Sequence, residues 1–246
     1  MHWKVYSDLA WTERIVSAPD DYKEETETYI KAIKEKVSAE LNSILHLGCG
    51  AGGHDFHFKK HFRVTGVDLS EAMLHEAKKL NPEINYIQGD MRTINLNQKF
   101  DVVAIPDSIM YMETIDDVKR VIQTAKRHLN PEGVLLLVIH TKGEFKNNNF
   151  AYTGTDEDTH VTIFENNHII SESKYEATMV YLIRQNGHIE VHHDVHTLGL
   201  FSQDEWLSVL EENGLKTTMI DLNDLYDPFL LEDGEYKLKL FLCTYP

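Results

Sequence analysis

Apolar positions recur along the chain with two periods, and the alternation between those periods predicts the order of elements. Glu24 to Val37 sets Tyr29, Ile33 and Val37 four residues apart, with acids early and lysines late, as an amphipathic helix and its dipole favour. Asn42 to Leu47 is a short apolar run stopped by Gly48-Cys49-Gly50-Ala51-Gly52-Gly53, and His54 to Phe62 continues as helix. The unit repeats, with Arg63 to Val67 as strand, Glu71 to Leu80 as a helix opened by Ser70, and Ile84 to Gln88 as strand. Phe100 to Ile105 is the fourth apolar run, Asp116 to Leu129 the next helix, and Val134 to Ile139 is apolar enough to be buried on both faces. Strands alternating with helices predict a parallel sheet.

The rhythm changes between Asn147 and Leu200, where no helical period is found. His160 to Glu165, Ile169 to Tyr175, Thr178 to Gln185 and His188 to Thr197 read as strands, separated by Asn166-Asn167 and Asn186-Gly187. Asn-Gly is a hairpin signal, so this stretch is expected to be an antiparallel insertion laid over the parallel sheet. Ser202 to Glu212 returns to helix and is ended by Asn213-Gly214. Leu215 to Ile220 and Lys237 to Thr244 supply two last strands, joined by the acidic loop Asp221 to Glu235. The expected organisation is a leading segment and core over 1–141, a cap over 142–200, and a helix and hairpin over 201–246 that complete the core.

A chain of 246 residues suits one large or decorated domain. No apolar run approaches the roughly 18 residues of a membrane helix. Lys plus Arg number 24 against 40 Asp plus Glu, so 24 − 40 = −16 with the histidines neutral. That balance argues against nucleic acid and anionic membranes as partners. Cys49 and Cys243 are too few for a disulfide framework, and the first residues lack the apolar stretch of a signal peptide, so a cytoplasmic location is expected.

The glycine turn after the first strand lets backbone come close to a ligand at a helix N-terminus. Gly48, Gly50 and Gly53 also fit the dinucleotide spacing, and Asp68 lies about 20 residues on, where an acid holds ribose hydroxyls. The turn therefore indicates nucleotide binding and leaves the nucleotide open. Asp90, in Gln88-Gly89-Asp90-Met91, stands at the end of the third strand, where it can accept from an adenine amino group while Met91 packs on the ring.

Taken in order, ILHLGCGAGG, VTGVDLSEAML, YIQGDM and FDVVAIPDSIMY resemble the successive motifs of class I S-adenosylmethionine-dependent methyltransferases. The resemblance implies a Rossmann-like, seven-stranded αβα sandwich carrying the antiparallel β cap, with S-adenosylmethionine as cofactor and S-adenosylhomocysteine as product. It places Gly48, Cys49 and Gly50 near the methionine part, Asp68 on the ribose, Leu69 and Met73 beside the adenine, and Asp90 with Met91 on its edge and face. One position departs from the pattern: His46 stands where the family carries an acid two residues before the first glycine. The leading segment and the insertion resemble the small-molecule members that include deoxyamino-sugar N-methyltransferases, which makes Tyr6 and Tyr22 candidate lid contacts over the cofactor.

Transfer of a methyl group from a sulfonium is a displacement that needs alignment, exclusion of water and, for an amine, removal of a proton, but no metal. Asp107, just past the fourth strand, is the candidate to orient or deprotonate the acceptor, although the Asn/Asp-Pro-Pro-aromatic motif of many amine-directed members is absent. Tyr111 and His140 are expected nearby, the histidine titrating near neutrality as a general base. His192, Asp194 and His196 alternate on one strand face and read as a polar sheet face or pocket floor in preference to a metal site. His54, His57 and His61 are expected on an exposed helix face. The expectation is methyl transfer to a small-molecule acceptor, with amine nitrogen favoured. The rivals are an NAD-dependent oxidoreductase, for which no Tyr-x-x-x-Lys pair is found, and a non-catalytic cofactor-binding module suggested by His46. The insertion is read as an acceptor lid or a homodimer interface, and the sequence leaves both open.

Overall fold

The computed structural model describes residues 3–222, 225–231 and 236–246, and along them the apolar runs become strands where caps and turns confine them. In chain order come α1 (Glu13–Val16), α2 (Lys23–Lys36), β1 (Ser43–Leu47), α3 (Gly53–Phe58), β2 (Arg63–Asp68), α4 (Glu71–Leu80), β3 (Asn85–Gln88) and β4 (Phe100–Ile105). They are followed by α5 (Ile115–His128), β5 (Leu129–Ile139), β6 (Asn148–Asp156), β7 (Thr159–Ser171), β8 (Lys174–Gln185) and β9 (His188–Gly199). The chain closes with α6 (Gln203–Glu212), β10 (Lys216–Leu222) and β11 (Leu238–Thr244). Local chemistry starts the helices: Ser70 Oγ accepts from Met73 N, Thr114 from Asp117 N, and Ser202 forms a capping box with Glu205.

The larger sheet has seven strands in the order β10-β11-β5-β4-β1-β2-β3. β5, β4, β1, β2 and β3 run parallel, and β11 is antiparallel to both β5 and β10. Alternate residues of each strand feed opposite faces, as a period of two requires. Leu45, Leu47, Val103 and Ile105 pack with Val118 and Trp206 of α5 and α6, whereas Ile44, Val102 and Ala104 pack with Ile33, Phe58 and Ala77 of α2, α3 and α4. This is the expected αβα sandwich. Chain direction across the sheet switches between β1 and β4, which opens a crevice at their carboxyl ends.

The insertion is a four-stranded antiparallel sheet in the order β6-β7-β8-β9, and two expectations about it need correction. β6 was not foreseen, and Asn166-Asn167 is no turn but the middle of β7. There Asn167 Nδ2 donates to Asn148 Oδ1 at 3.0 Å and Asn166 Nδ2 to Asn149 Oδ1 at 2.7 Å across the ladder, while the buried Asn167 Oδ1 makes no hydrogen bond. The true reversal falls at Glu172-Ser173, while Asn186-Gly187 is the hairpin turn it promised to be, with φ of 50° and 79°. One face of this sheet takes the leading segment: Val5, Leu9 and Ile15 pack with Val161, Ile163, Met179 and Tyr181. Of the acidic loop Asp221 to Glu235, residues 223–224 and 232–235 lie outside the described residues. No described helix is long and apolar enough to cross a membrane.

Candidate active site

The glycine turn leaves β1 with Gly48 at φ +75° and Gly50 at φ +53°, conformations that cost other residues strain. Gly48 N and Cys49 N donate to the Val67 carbonyl at 2.7 and 3.0 Å, tying the loop to β2. Gly50 N donates to Asp68 Oδ2 at 2.9 Å, and Ser70 N to Oδ1 at 2.8 Å. Each Asp68 oxygen thus spends one lone pair on backbone and keeps another, and the carboxylate lines a cavity of about 630 Å³. Burial raises the Asp68 pKa while the two N–H groups oppose the rise. Beside it Leu69 is 61% exposed at the rim, an uncovered apolar surface next to two acceptors.

This donor set fits S-adenosylmethionine. A carboxylate with a free lone pair on each oxygen matches vicinal hydroxyls, Leu69, Met73 and Met91 supply apolar surface for a ring, and Gly48 and Gly50 bring backbone to the same cavity. Asp90 also lines it, but Arg92 holds both carboxylate oxygens, with Nη2 2.6 Å from Oδ2 and Nε 3.0 Å from each, and depresses its pKa. Two cofactor candidates stand elsewhere. Cys49 is buried, its thiol turned toward Gly66 beneath the loop. Tyr22 lies over Gly53 at the start of α3, donating to Glu13 Oε1 at 2.7 Å, and does not line the cavity.

His46 has not left its buried position without an acid. Its Nδ1 lies 2.7 Å from Oδ1 of Asp55, nine residues along in α3, and both side chains are buried. The carboxylate comes from the helix in place of the strand, and its Oδ2 makes no hydrogen bond. The neighbouring helix face is also not the exposed one expected. His54 and His57 are buried under the leading segment and α2, His57 Nε2 meeting the Pro19 carbonyl at 2.7 Å and His54 Nδ1 the Thr26 hydroxyl at 2.9 Å; only His61 is exposed.

Asp107, Tyr111 and His140 all line the same cavity as Asp68. Asp107 sits at the end of β4 with φ +52°, and Tyr226 Oη lies 3.4 Å from its Oδ2 and 3.3 Å from Glu25 Oε1. Burial, then repulsion from Glu25, raises the Asp107 pKa well above the carboxylate range, and burial raises that of Glu25 as well. The expectation that His140 titrates near neutrality is corrected: burial lowers its pKa to about 4. Both ring nitrogens are engaged, Nδ1 with the Lys237 carbonyl at 3.2 Å and Nε2 with Tyr236 Oη at 2.6 Å. Tyr6 Oη lies 2.5 Å from Tyr111 Oη.

Sequence reasoning missed Glu25, Tyr226, Glu165 and Asn167. Glu165 and Asn167 line the cavity from β7, Asn167 Nδ2 donating to Glu165 Oε1 at 2.8 Å, and burial raises the Glu165 pKa. Their spacing of two along a strand was a usable signal, but it was hidden by reading Asn166-Asn167 as a turn. Glu25 gave none, because a helical period shows a face and not what that face meets.

Comparison with known proteins bears on the family and the fold. Residues 44–133 match the family described as a methyltransferase domain. A dTDP-4-amino-2,3,4,6-tetradeoxy-D-glucose N,N-dimethyltransferase of Saccharopolyspora spinosa is 27% identical over 199 residues, 80% of each chain. The chain is an S-adenosylmethionine-dependent methyltransferase. The fold of this methyltransferase matches the crystal structure of Streptomyces venezuelae DesVI with a TM-score of 0.81 at 24% identity, covering 97% of this chain and 96% of that one. It also matches S-adenosylmethionine-bound CalS10, an amino pentose methyltransferase from Micromonospora echinaspora, with a TM-score of 0.76 at 22% identity over 100% and 98%.

Proposed function

We propose that this methyltransferase acts on an amine nitrogen of a small amino-sugar-like acceptor, held between the end of β4 and the inner face of the cap. The observation that carries the reading is Asp107, a half-buried carboxyl of raised pKa lining the cavity that also contains the Asp68 and glycine-loop cradle. The S. spinosa relative is named for methylating a nucleotide-linked amino sugar, which supports the acceptor class.

When bound, the cofactor supplies an electrophilic methyl group. Asp68 and the glycine loop fix its ribose and methionine ends, and the leading segment, with Trp3 and Tyr6 lining the cavity, limits water. A sugar amine arrives largely as ammonium, and its nitrogen lone pair is usable only after a proton leaves. The Asp107 carboxylate receives that proton, and its raised pKa brings it nearer to that of the donor. Tyr226, bridging Asp107 and Glu25, holds the carboxylate in place. Glu165 and Asn167 on β7 offer a carboxylate and an amide for sugar hydroxyls.

The test is transfer of labelled methyl to a panel of nucleotide-linked deoxyamino sugars and their hydroxy counterparts. Label on the amino members alone is expected, and Asp107→Asn should lower kcat about 100-fold. Transfer to the hydroxy sugars, or to no amino sugar by enzyme that binds cofactor, overturns the assignment.

A further inference from the structure

We propose that the Asp194–His196 pair sets the direction of a Tyr111–Tyr6 hydroxyl chain, so that phenolic lone pairs, not protons, are presented to the acceptor amine. The inference rests on the amine reading above and adds two positioning residues to it. It accounts for the alternating row on β9, whose members meet different fates. His192 is partly exposed beside Glu190, at 3.2 Å, whereas His196 is fully buried under the Trp3 ring, 4.7 Å between centroids.

His196 Nδ1 lies 2.8 Å from Tyr111 Oη, and Tyr111 Oη 2.5 Å from Tyr6 Oη. Asp194 Oδ2 accepts from Val5 N at 3.0 Å and lies 3.2 Å from His196 Nε2, close but not aligned as a hydrogen bond, so that Nε2 is buried beside the carboxylate with no hydrogen-bond partner among the described residues. Burial lowers the imidazole pKa, with Asp194 opposing, so the ring is neutral at pH 7 and carries one N–H. A bare Nε2 would set its lone pair against the carboxylate 3.2 Å away, so the proton belongs on Nε2 by electrostatics even without an aligned hydrogen bond, and Nδ1 is bare. Nδ1 must then accept from the Tyr111 hydroxyl. Tyr111, its proton committed, accepts from the Tyr6 hydroxyl, and the Tyr6 proton is committed in turn. Both phenols line the cavity with oxygen lone pairs left over.

The opposite tautomer would reverse every donor and aim the Tyr6 proton at an N–H-bearing substrate. Two acceptor oxygens instead hold the amine by its N–H groups and turn the nitrogen lone pair toward the methyl. The same elements fix the leading segment, since Asp194 holds Val5 N and the Ser70 hydroxyl donates to the Tyr6 carbonyl. The latch thus joins cap, leading segment and the Asp68–Ser70 turn.

The probe is sinefungin, which carries an amine where the cofactor carries its methyl, compared with S-adenosylhomocysteine, which carries nothing there. Calorimetry of His196→Phe is expected to show sinefungin affinity reduced about tenfold or more, the size of a lost charge-assisted hydrogen bond, with S-adenosylhomocysteine affinity unchanged. Equal losses for both ligands, or none for sinefungin, overturn the proposal. Nitrogen-15 spectra of histidine-labelled parent enzyme test it without relying on the variant's folding: a bare His196 Nδ1 is expected, and a proton there overturns it. Failure of the parent to bind either ligand would count against the cofactor reading instead, and the tautomer would still be read.

Discussion

At Asp107 the chain bears two local costs, a positive-φ backbone at φ +52° and ψ −41° and a half-buried carboxyl beside Glu25. Its folded pKa lies above the unfolded value, so stability falls as pH rises from the unfolded value to the folded one, and the cost is complete above it. Asparagine has the same side-chain shape and carries no charge. Asp107→Asn should therefore melt higher than the parent at pH 8, by about 2–4 °C for each kcal/mol recovered, with a smaller gain at pH 5, while losing activity. At Asp68 burial also raises the pKa, but Gly50 N and Ser70 N hold the charged form and oppose the rise. Asp68→Ala should weaken S-adenosylhomocysteine binding about 100-fold by calorimetry, the loss of two good hydrogen bonds. Both acids were legible from their places at strand ends. The Asp55 partner of His46 was not, because it stands on the next helix and nothing in residue order joins the two.

Among the elements, those begun by a side-chain cap were readable nearly to the residue. α4 begins after Ser70 and α6 after Ser202, whose hydroxyl accepts from Glu205 N while the Glu205 carboxylate answers the Ser202 N–H. Ser202→Ala should cost about 1 kcal/mol in urea unfolding, with a Tm lower by about 2–4 °C. β6 and the middle of β7 escaped for the converse reason. Asn148, Asn149, Asn166 and Asn167 carry turn propensity, and only pairing across the ladder makes them strand residues. β-structure depends on the neighbour across the sheet, which sequence order does not name.

The whole molecule is closed over its cavity from both ends of the chain. His140 shows the consequence, since Tyr236 and Lys237 take both its nitrogens just before β11. Its folded pKa of about 4 lies below the ordinary imidazole value. Between about pH 6.5 and 4 the unfolded chain binds a proton there that the folded chain refuses, so stability falls on acidification by about 3 kcal/mol. Urea unfolding across that range should show the slope, and His140→Gln should flatten it. The sequence by itself determined the order of strands and helices in the parallel core, the glycine turn and the acids at or just past the ends of β2, β3 and β4, because period, caps and turn residues act over a few positions. The tertiary structure alone decided which buried groups meet: Glu25 with Asp107 through Tyr226, Asp55 with His46, and Asp194 and His196 with Tyr111 and Tyr6. These partners lie on separate elements, and their protonation follows from burial and close approach, which exist only once the chain has folded.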